Sequence, residues 1–443
     1  MSTGGNLQTL AQSWNVPELK KRLLFVLQAL VIFTIGVHLP TPGINADAVR
    51  QFFEQGAGSG DMFTLFNMFA GGALRKLSIF ALGIMPYINA SIMMQILVAV
   101  EPRLKQMQQE GEEGRKRISR WTRYLAVALA FLQGSGLLIA IYSGGGQKFI
   151  FGAEPSQLLP QITALLAVVG GTCFLMWLAD EISQKGIGNG TSIIIMIGIV
   201  AGIPVQIYQE LKQASMDQGR IFALLLLLIL AVLVVGGIVL VQLAARKIPI
   251  QYARRQIGKK VYGGQSTYLP IKVTQAGVIP IIFAISILMV PATIFQWLPA
   301  DSYSGLHAGW ARFQSSGWYV LTEFLLVFLF TFVYTAVSFQ TQDVADNLKK
   351  NNGFIPGIRP GKPTFEFLDK VLHRVTFFGG VFLGLLAILP ALTNMIIVAF
   401  TGVKITSIYL GGTSLLITVG VALDTVQQMQ AHMVMRHYSG FNR

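Results

Sequence analysis

The chain has 443 residues, of which 53% are apolar and only 12% charged, against about 25% charged in a typical soluble domain. That balance excludes a disordered chain, and the single cysteine, Cys173, excludes a disulfide framework or a cysteine-built zinc site. The formal net charge of +14 fits either a nucleic-acid partner or a membrane protein that collects Lys and Arg in its cytoplasmic loops, and the placement of the charges separates the two.

The first 19 residues are polar. Lys20-Lys21-Arg22 then leads into an apolar run followed by Pro40 and Pro42, the pattern of an uncleaved signal anchor. Crossing roughly 30 Å of hydrocarbon takes about 20 apolar residues in a helix. Spans are predicted near 23–39, 77–100, 121–142, 158–179, 190–209, 219–245, 273–294, 318–340, 372–392 and 404–430. The longest uncharged stretch runs from Ile221 to Val241 without a polar side chain. With the N-terminus in the cytoplasm, 26 of the 34 Lys and Arg fall in inside segments and 8 outside. This bias orients ten spans with both termini inside, and it explains the net charge without nucleic acid. The expected class is an all-α polytopic membrane protein with ten transmembrane helices. Five and five make an inverted repeat geometrically permitted, with an N-terminal half over 1–214 and a C-terminal half over 215–443. Residue-level similarity between the halves does not demonstrate it.

Along the first half, residues 60–72 form an apolar stretch too short to span, with Phe63, Phe66 and Phe69 spaced by three and Gly71-Gly72 ending the helix. Two readings are open: an amphipathic helix on the outer leaflet, or a re-entrant helix that plugs a cavity. In the following span Pro86 is expected to kink the helix. Ile84 and Ile88 share a face there, and Asn89 and Gln95 are polar groups that lipid disfavours. The run Gly186-Ile187-Gly188-Asn189-Gly190-Thr191-Ser192 reads as either a break facing water or close packing through small residues.

In the second half, 246–272 alternates Ile248, Ile250 and Tyr252 before Arg254-Arg255 and Lys259-Lys260, a hairpin with a basic tip. A second basic loop runs over about 341–371 and carries Arg359. Anionic lipids account for the charge of these loops, and a large acidic partner better accounts for their order. Glu323 and Asp424 lie within spans, each close enough to an end to reach an interface. Motifs for phosphate binding, zinc proteolysis and serine hydrolysis are absent, and no two of the five histidines are four residues apart. No catalytic residue, metal or cofactor is expected.

Composition and spacing name no family, but longer runs do. NMFAGGALRKLSIFALGIMPYINASI, EGEEGRKRISRWTRY, KGIGNGTSIII, QSTYLPIKV with AGVIP, ADNLKK with GFIPGIRPG, and YLGGTSLLI closely resemble the bacterial SecY family over nearly the whole chain. The resemblance implies the channel subunit of the Sec protein translocase (SecYEG) in the plasma, or inner, membrane. Such a channel moves unfolded secretory chains across the membrane and releases hydrophobic segments sideways into the bilayer. It implies two inverted five-helix halves around a central pore, with a pore ring of Ile84, Ile88, Ile195, Ile282 and Ile417. It makes about 60–76 the plug, with Phe63, Phe66, Asn67, Phe69 and Gly71. A lateral gate is implied between spans 77–100 plus 121–142 and spans 273–294 plus 318–340. Its matching positions are Asn89, Ile92, Gln95, Asn189, Val290 and Ile294. Arg254, Arg255, Lys259, Lys260 and Arg359 fall where the family docks the SecA ATPase or the ribosome. SecE and SecG, anionic lipids and polypeptides bearing signal sequences are the other implied partners. Thr191, one turn before Ile195, departs from the aliphatic residue expected there.

Two classes of function remain on the residues themselves: a protein-conducting channel without catalysis, or an ion-coupled secondary transporter. Scarce charge within the spans and elaborate basic loops favour the channel, and the resemblance decides for it.

Overall fold

The structure, a computed structural model, describes residues 16–44, 67–143, 158–214, 218–252, 255–257, 260–262, 266–275, 277–297, 304–402 and 412–440. In chain order the first half has α1 (Pro17–His38), α2 (Met85–Val100), α3 (Pro102–Gln109), α4 (Glu112–Ser143), α5 (Leu158–Lys185) and α6 (Gly190–Ala214). The second half begins with α7 (Gln218–Leu243), then β1 (Ala245–Tyr252), β2 (Arg255–Ile257), β3 (Lys260–Tyr262) and β4 (Ser266–Lys272). There follow α8 (Ile279–Trp297), α9 (Ser304–Gln314), α10 (Gly317–Ser338), α11 (Thr341–Lys350), β5 (Gly353–Phe354), α12 (Lys362–Ala387), α13 (Leu389–Thr401) and α14 (Gly412–Gly440).

Each predicted span overlaps a helix, although 404–411 lie outside the described residues. Among the described residues, seven helical segments are long and apolar enough to cross a membrane, while α2, the start of α8, and α13 are shorter apolar helices. The exposed apolar side chains of α7, Leu225, Leu228, Ile229, Val232 and Leu233, are what a lipid-facing helix presents. Arg22 of α1 donates to the Gly186 carbonyl at 3.2 Å, placing a cation where the carbonyls at the end of α5 lack helical partners.

Two spans differ from the sequence expectation. Pro86 does not kink a helix over 77–100; it opens one. Helix α2 starts at Met85 with the proline in its first turn, where the missing N–H costs nothing. Residues 70–84 run as turns, with Gly71, Gly72 and Gly83 at positive φ. Such backbone survives at membrane depth because protein surrounds it: Ala73, Leu77, Ser78, Phe80 and Ala81 are all buried. The second difference is at 372–392. Helix α12 starts earlier, at Lys362, and stops at Ala387 because Pro390 can neither donate to the Leu386 carbonyl nor fit against it. Gly412 opens α14 against that freed carbonyl, where a Cβ would stand 2.1 Å from the oxygen.

The expected hairpin over 246–272 is present. β1 and β4 pair antiparallel with Ile248 opposite Leu269, and β2 pairs with β3 toward the tip. Ile248 and Ile250 are buried while Lys247, Pro249 and Gln251 are exposed, the period of two that one packed face requires. The second basic loop adds β5 beside β1, pairing Gln251 with Phe354, for a sheet ordered β4-β1-β5. Beneath it Ile248, Ile250, Ile271, Leu348, Ile355 and Leu368 form one core. The two basic loops are therefore a single folded body.

Candidate functional site

Four helices bring the expected ring residues together. Ile84 and Ile88 come from the start of α2, Ile195 from α6 and Ile417 from α14, all buried in one apolar cluster. Ile282 of α8, half-buried, packs against it. Ile88 N–H donates to the Ile84 carbonyl at 3.1 Å, so the two keep the shared face their spacing implies although Ile84 sits at the helix cap. Thr191 is half-buried, one turn before Ile195.

The segment before α2 enters the same cluster. Residues 67–69 make one helical turn, and Met68, Phe69, Ala70 and Ala73 are cluster members. Gly72 N–H donates to the Asn67 carbonyl at 2.7 Å and Arg75 N–H to Asn67 Oδ1 at 3.0 Å, closing the turn on itself. Gly71, at φ 67°, lies so close to α6 that a Cβ would sit 3.2 Å from Gly198 Cα and 3.3 Å from the Phe33 ring. This end of the segment is inside the protein, not on an outer leaflet. Phe63 and Phe66 lie outside the described residues.

Among the described residues, one side-chain hydrogen bond joins α2 to α8. The Ser286 hydroxyl donates to Asn89 Oδ1 at 2.6 Å. Ile92 is buried below it, and Gln95, exposed, donates to Ser91 at 3.3 Å. Gln95 and Ile96 edge a crevice against Phe283, Phe330, Val333 and Tyr334, in which Phe283 stacks on Phe330 with centroids 5.4 Å apart. Ser286 was missed in the sequence, yet it had a signal. It lies at four-residue intervals with Ile282, Val290 and Ile294, one row of α8. The side chains of Val290 and Ile294 themselves lie outside the described ones.

Asn189 does not join this group. It caps α6, accepting from Ser192 N–H at 3.3 Å, while the neighbouring Gly188 N–H donates to Gln428 Oε1 of α14 at 2.9 Å. Together with Ser192 and Thr425 it borders a cavity of about 300 Å³ where Asp424 is exposed. Close packing explains part of the glycine run: a Cβ on Gly190 would lie 2.0 Å from the Ala179 carbonyl. An ion pair of 2.8 Å between Arg123 and Asp180 ties α4 to α5 nearby.

Of the basic residues, Arg255 lies on β2 and Lys260 on β3, and Arg359 is exposed in the loop before α12. The Arg359 carbonyl accepts the Thr364 hydroxyl at 2.8 Å, which fixes that loop to α12. Arg254 and Lys259 lie outside the described residues.

The family model described as SecY matches residues 78–426. The chain belongs to the SecY family. Among curated relatives named protein translocase subunit SecY, that of Streptomyces galbus is 42% identical, covering 99% of this chain and 100% of its own. The Thermotoga maritima protein of the same name is 41% identical over 98% and 97% of the two chains, and that of Thermus thermophilus 43% over the same shares. Among solved structures, a protein-conducting channel superposes with a TM-score of 0.64 at 17% identity, covering 94% of this chain and 93% of that one. Sec61 in the canine ribosome-channel complex gives a TM-score of 0.60 at 16% identity, with the same coverage. The SecY-family chain is thus a multi-pass membrane protein with the fold of these channels.

Proposed function

We infer that the chain is the protein-conducting channel subunit of a Sec translocon, passing unfolded secretory polypeptides across the membrane and releasing hydrophobic segments sideways into lipid. The observation that carries this reading is the single cluster in which isoleucines of four helices meet, with Phe69 and its neighbours packed into it. A polypeptide channel must admit varied side chains and still hold back ions. Aliphatic walls dewet when closed, so hydrated ions meet a barrier, and they offer no hydrogen bond to trap a passing chain.

In this reading Ile84, Ile88, Ile195, Ile282 and Ile417 are the pore ring, and the segment about 60–76 is the plug. The halves 1–214 and 215–443 are inverted repeats that part along a lateral gate between α2 with α4 and α8 with α10. Asn89, Ile92, Gln95, Val290 and Ile294 line that gate, and Ser286 joins them. Asn189 acts at the cytoplasmic mouth beside α14. Both termini face the cytoplasm of a bacterial plasma membrane. The two basic loops, united by this sheet, offer Arg254, Arg255, Lys259, Lys260 and Arg359 to the SecA ATPase or the ribosome. SecE and SecG complete the assembly, and anionic lipids meet the basic loops. The chain performs no catalysis of its own; the motor or the ribosome supplies the driving force.

The test is purification from its native membrane in mild detergent, followed by reconstitution. Two small membrane subunits should co-purify, and the resting complex should be ion-tight until a signal-bearing polypeptide engages it. A chain that purifies alone and carries a solute current coupled to an ion gradient would overturn the reading.

A further inference from the structure

Between the last turn of α10, α11 and α12 lies a cavity of about 410 Å³, within the size range of small-ligand sites. Phe332 and Ala336 of α10 and Phe339, its C-cap, give the cavity an apolar wall that also includes Thr335. Its rim is charged with both signs: Asp343 of α11, Asp369 and His373 of α12, and Lys105, which reaches it from α3 in the other half of the chain. His373 lies 3.5 Å from Asp369, whereas among the described residues Lys105 and Asp343 have no ion-pair partner.

Two hydroxyls in the lining stand out. Thr341 and Thr376 are 7% and 4% exposed, and among the described residues neither side chain has a hydrogen-bond partner. Thr331 and Thr335 of α10, equally buried, satisfy theirs on carbonyls one turn back at 2.7 Å. Their oxygens open to the cavity rather than being sealed from water, so each offers a polar occupant a hydroxyl that can donate or accept.

A string of rings leads from the apolar belt to this cavity. Phe324 stacks on Phe328 at 6.5 Å, Phe328 meets Phe332 at 5.1 Å, and Phe332 meets His373 at 6.4 Å. Phe377 stands edge-on to Phe328, and it and Phe378 are exposed on the outer face. Polar floor, apolar wall and an aromatic approach from the membrane are arranged as an amphiphile is.

We propose that this cavity binds the headgroup of a zwitterionic aminophospholipid, one with a primary ammonium and a phosphodiester. The ammonium donates to the Asp343 and Asp369 carboxylates in charge-assisted hydrogen bonds. The phosphodiester lies toward Lys105 and accepts from the threonine hydroxyls, and the acyl chains follow the phenylalanines. A choline head has no N–H to donate to the carboxylates. An anionic glycerol head brings negative charge against two of them. Because Lys105 belongs to the N-terminal half and the other rim residues to the C-terminal half, the bound headgroup bridges the two. The inference rests on the membrane placement of α10 and α12 in the reading above, not on channel activity.

The test uses the full chain in nanodiscs of phosphatidylethanolamine, phosphatidylcholine and phosphatidylglycerol in equal parts, extracted into mild detergent, with retained lipid identified by native mass spectrometry. Phosphatidylethanolamine should be retained about tenfold over the other two, a ratio set by one or two charge-assisted hydrogen bonds. Asp343→Asn with Asp369→Asn should abolish the preference, Lys105→Gln should weaken retention, and Asp369→Glu should keep it. Equal retention of the three lipids, or an unchanged preference in the double variant, overturns the proposal. Lys105 is exposed, so its variant tests the site even where the double variant fails to fold. Equal competition by soluble glycerophosphoethanolamine overturns the lipid assignment, and so does displacement by a lysine-rich peptide where phosphatidylethanolamine shows no binding. A preparation inactive as a channel but with the preference intact would sink the channel reading alone.

Discussion

The hydroxyl of Ser286 lies 2.6 Å from Asn89 Oδ1, and this bond links α2 of one half to α8 of the other. Opening sideways between these helices must break it. A neutral hydrogen bond contributes about 1 kcal/mol net. Ser286→Ala should therefore raise the resting open probability roughly fivefold, read as single-channel events in planar bilayers, with little change in folded yield. An open probability equal to wild type would remove this bond from the proposed gate.

Gly198 packs against the segment proposed as the plug. A Cβ there would stand 3.0 Å from the Phe69 carbonyl and 3.1 Å from Gly71 N, and both are backbone atoms that cannot turn aside. Gly198→Val should push residues 67–71 out of the cluster, at an overpacking cost of about 1–3 kcal/mol, and make the resting channel leak ions. Gly236→Ala is the control. It meets nothing within 4 Å on α7 and should be ion-tight and equally or slightly more stable. An ion-tight Gly198→Val channel with normal yield would remove the plug assignment.

Disulfide trapping examines the placement of the segment directly. Phe69 and Ile417 share one buried cluster. Cysteines at these two positions should crosslink in the absence of a translocating chain, and the crosslink should block export until it is reduced. Labelling of a cysteine at position 69 by lipid-phase reagents would instead put the segment at the membrane surface.

Polar substitution in the ring should separate leak from misfolding by position. Ile84, Ile195 and Ile417 are at most 4% exposed, so an asparagine there loses about 1.5–3 kcal/mol of apolar burial and strands an amide. Ile282 is only half-buried. Ile282→Asn should keep its yield and raise ion leak while export continues, whereas Ile417→Asn should lower the yield of folded protein. Conductance measured beside yield distinguishes the two effects. An ion-tight, well-folded Ile282→Asn channel would exclude that residue from the constriction.

Reversing charge at the basic platform should impair function without touching the fold. Arg359 is exposed, and exposed charges contribute little to stability. Arg359→Glu should leave detergent melting unchanged and reduce motor-driven export by an order of magnitude or more, as expected from reversing a charge at an interface. Normal ATP-driven export by this variant would remove Arg359 from the docking surface.

Much of this architecture is legible in the sequence because membrane insertion is a local, compositional property. Any run like 221–241 must be helical in hydrocarbon, and the Lys and Arg bias orients it regardless of its neighbours. The hairpin was equally readable, since alternation at Ile248 and Ile250 is a strand signal on its own. Spacing put Ile84 with Ile88, and family resemblance added the partners from other helices. What the sequence left open depends on which backbone touches which. Pro86 carries the same chemistry whether it kinks a helix or starts one, and only the buried turns before it decided for a start. The aromatic segment has two readings in the sequence, and the contact of Gly71 with Gly198, which puts residues 67–73 against α6, could not be read there, because a glycine's role is set by the atom opposite it. Ser286 was one hydroxyl in an apolar run, and it mattered only once Asn89 stood across from it. Likewise the two basic loops lie about a hundred residues apart and show no mutual signal. Their union through β1 and β5 is a long-range pairing, whose energy comes from a shared core that local sequence does not encode.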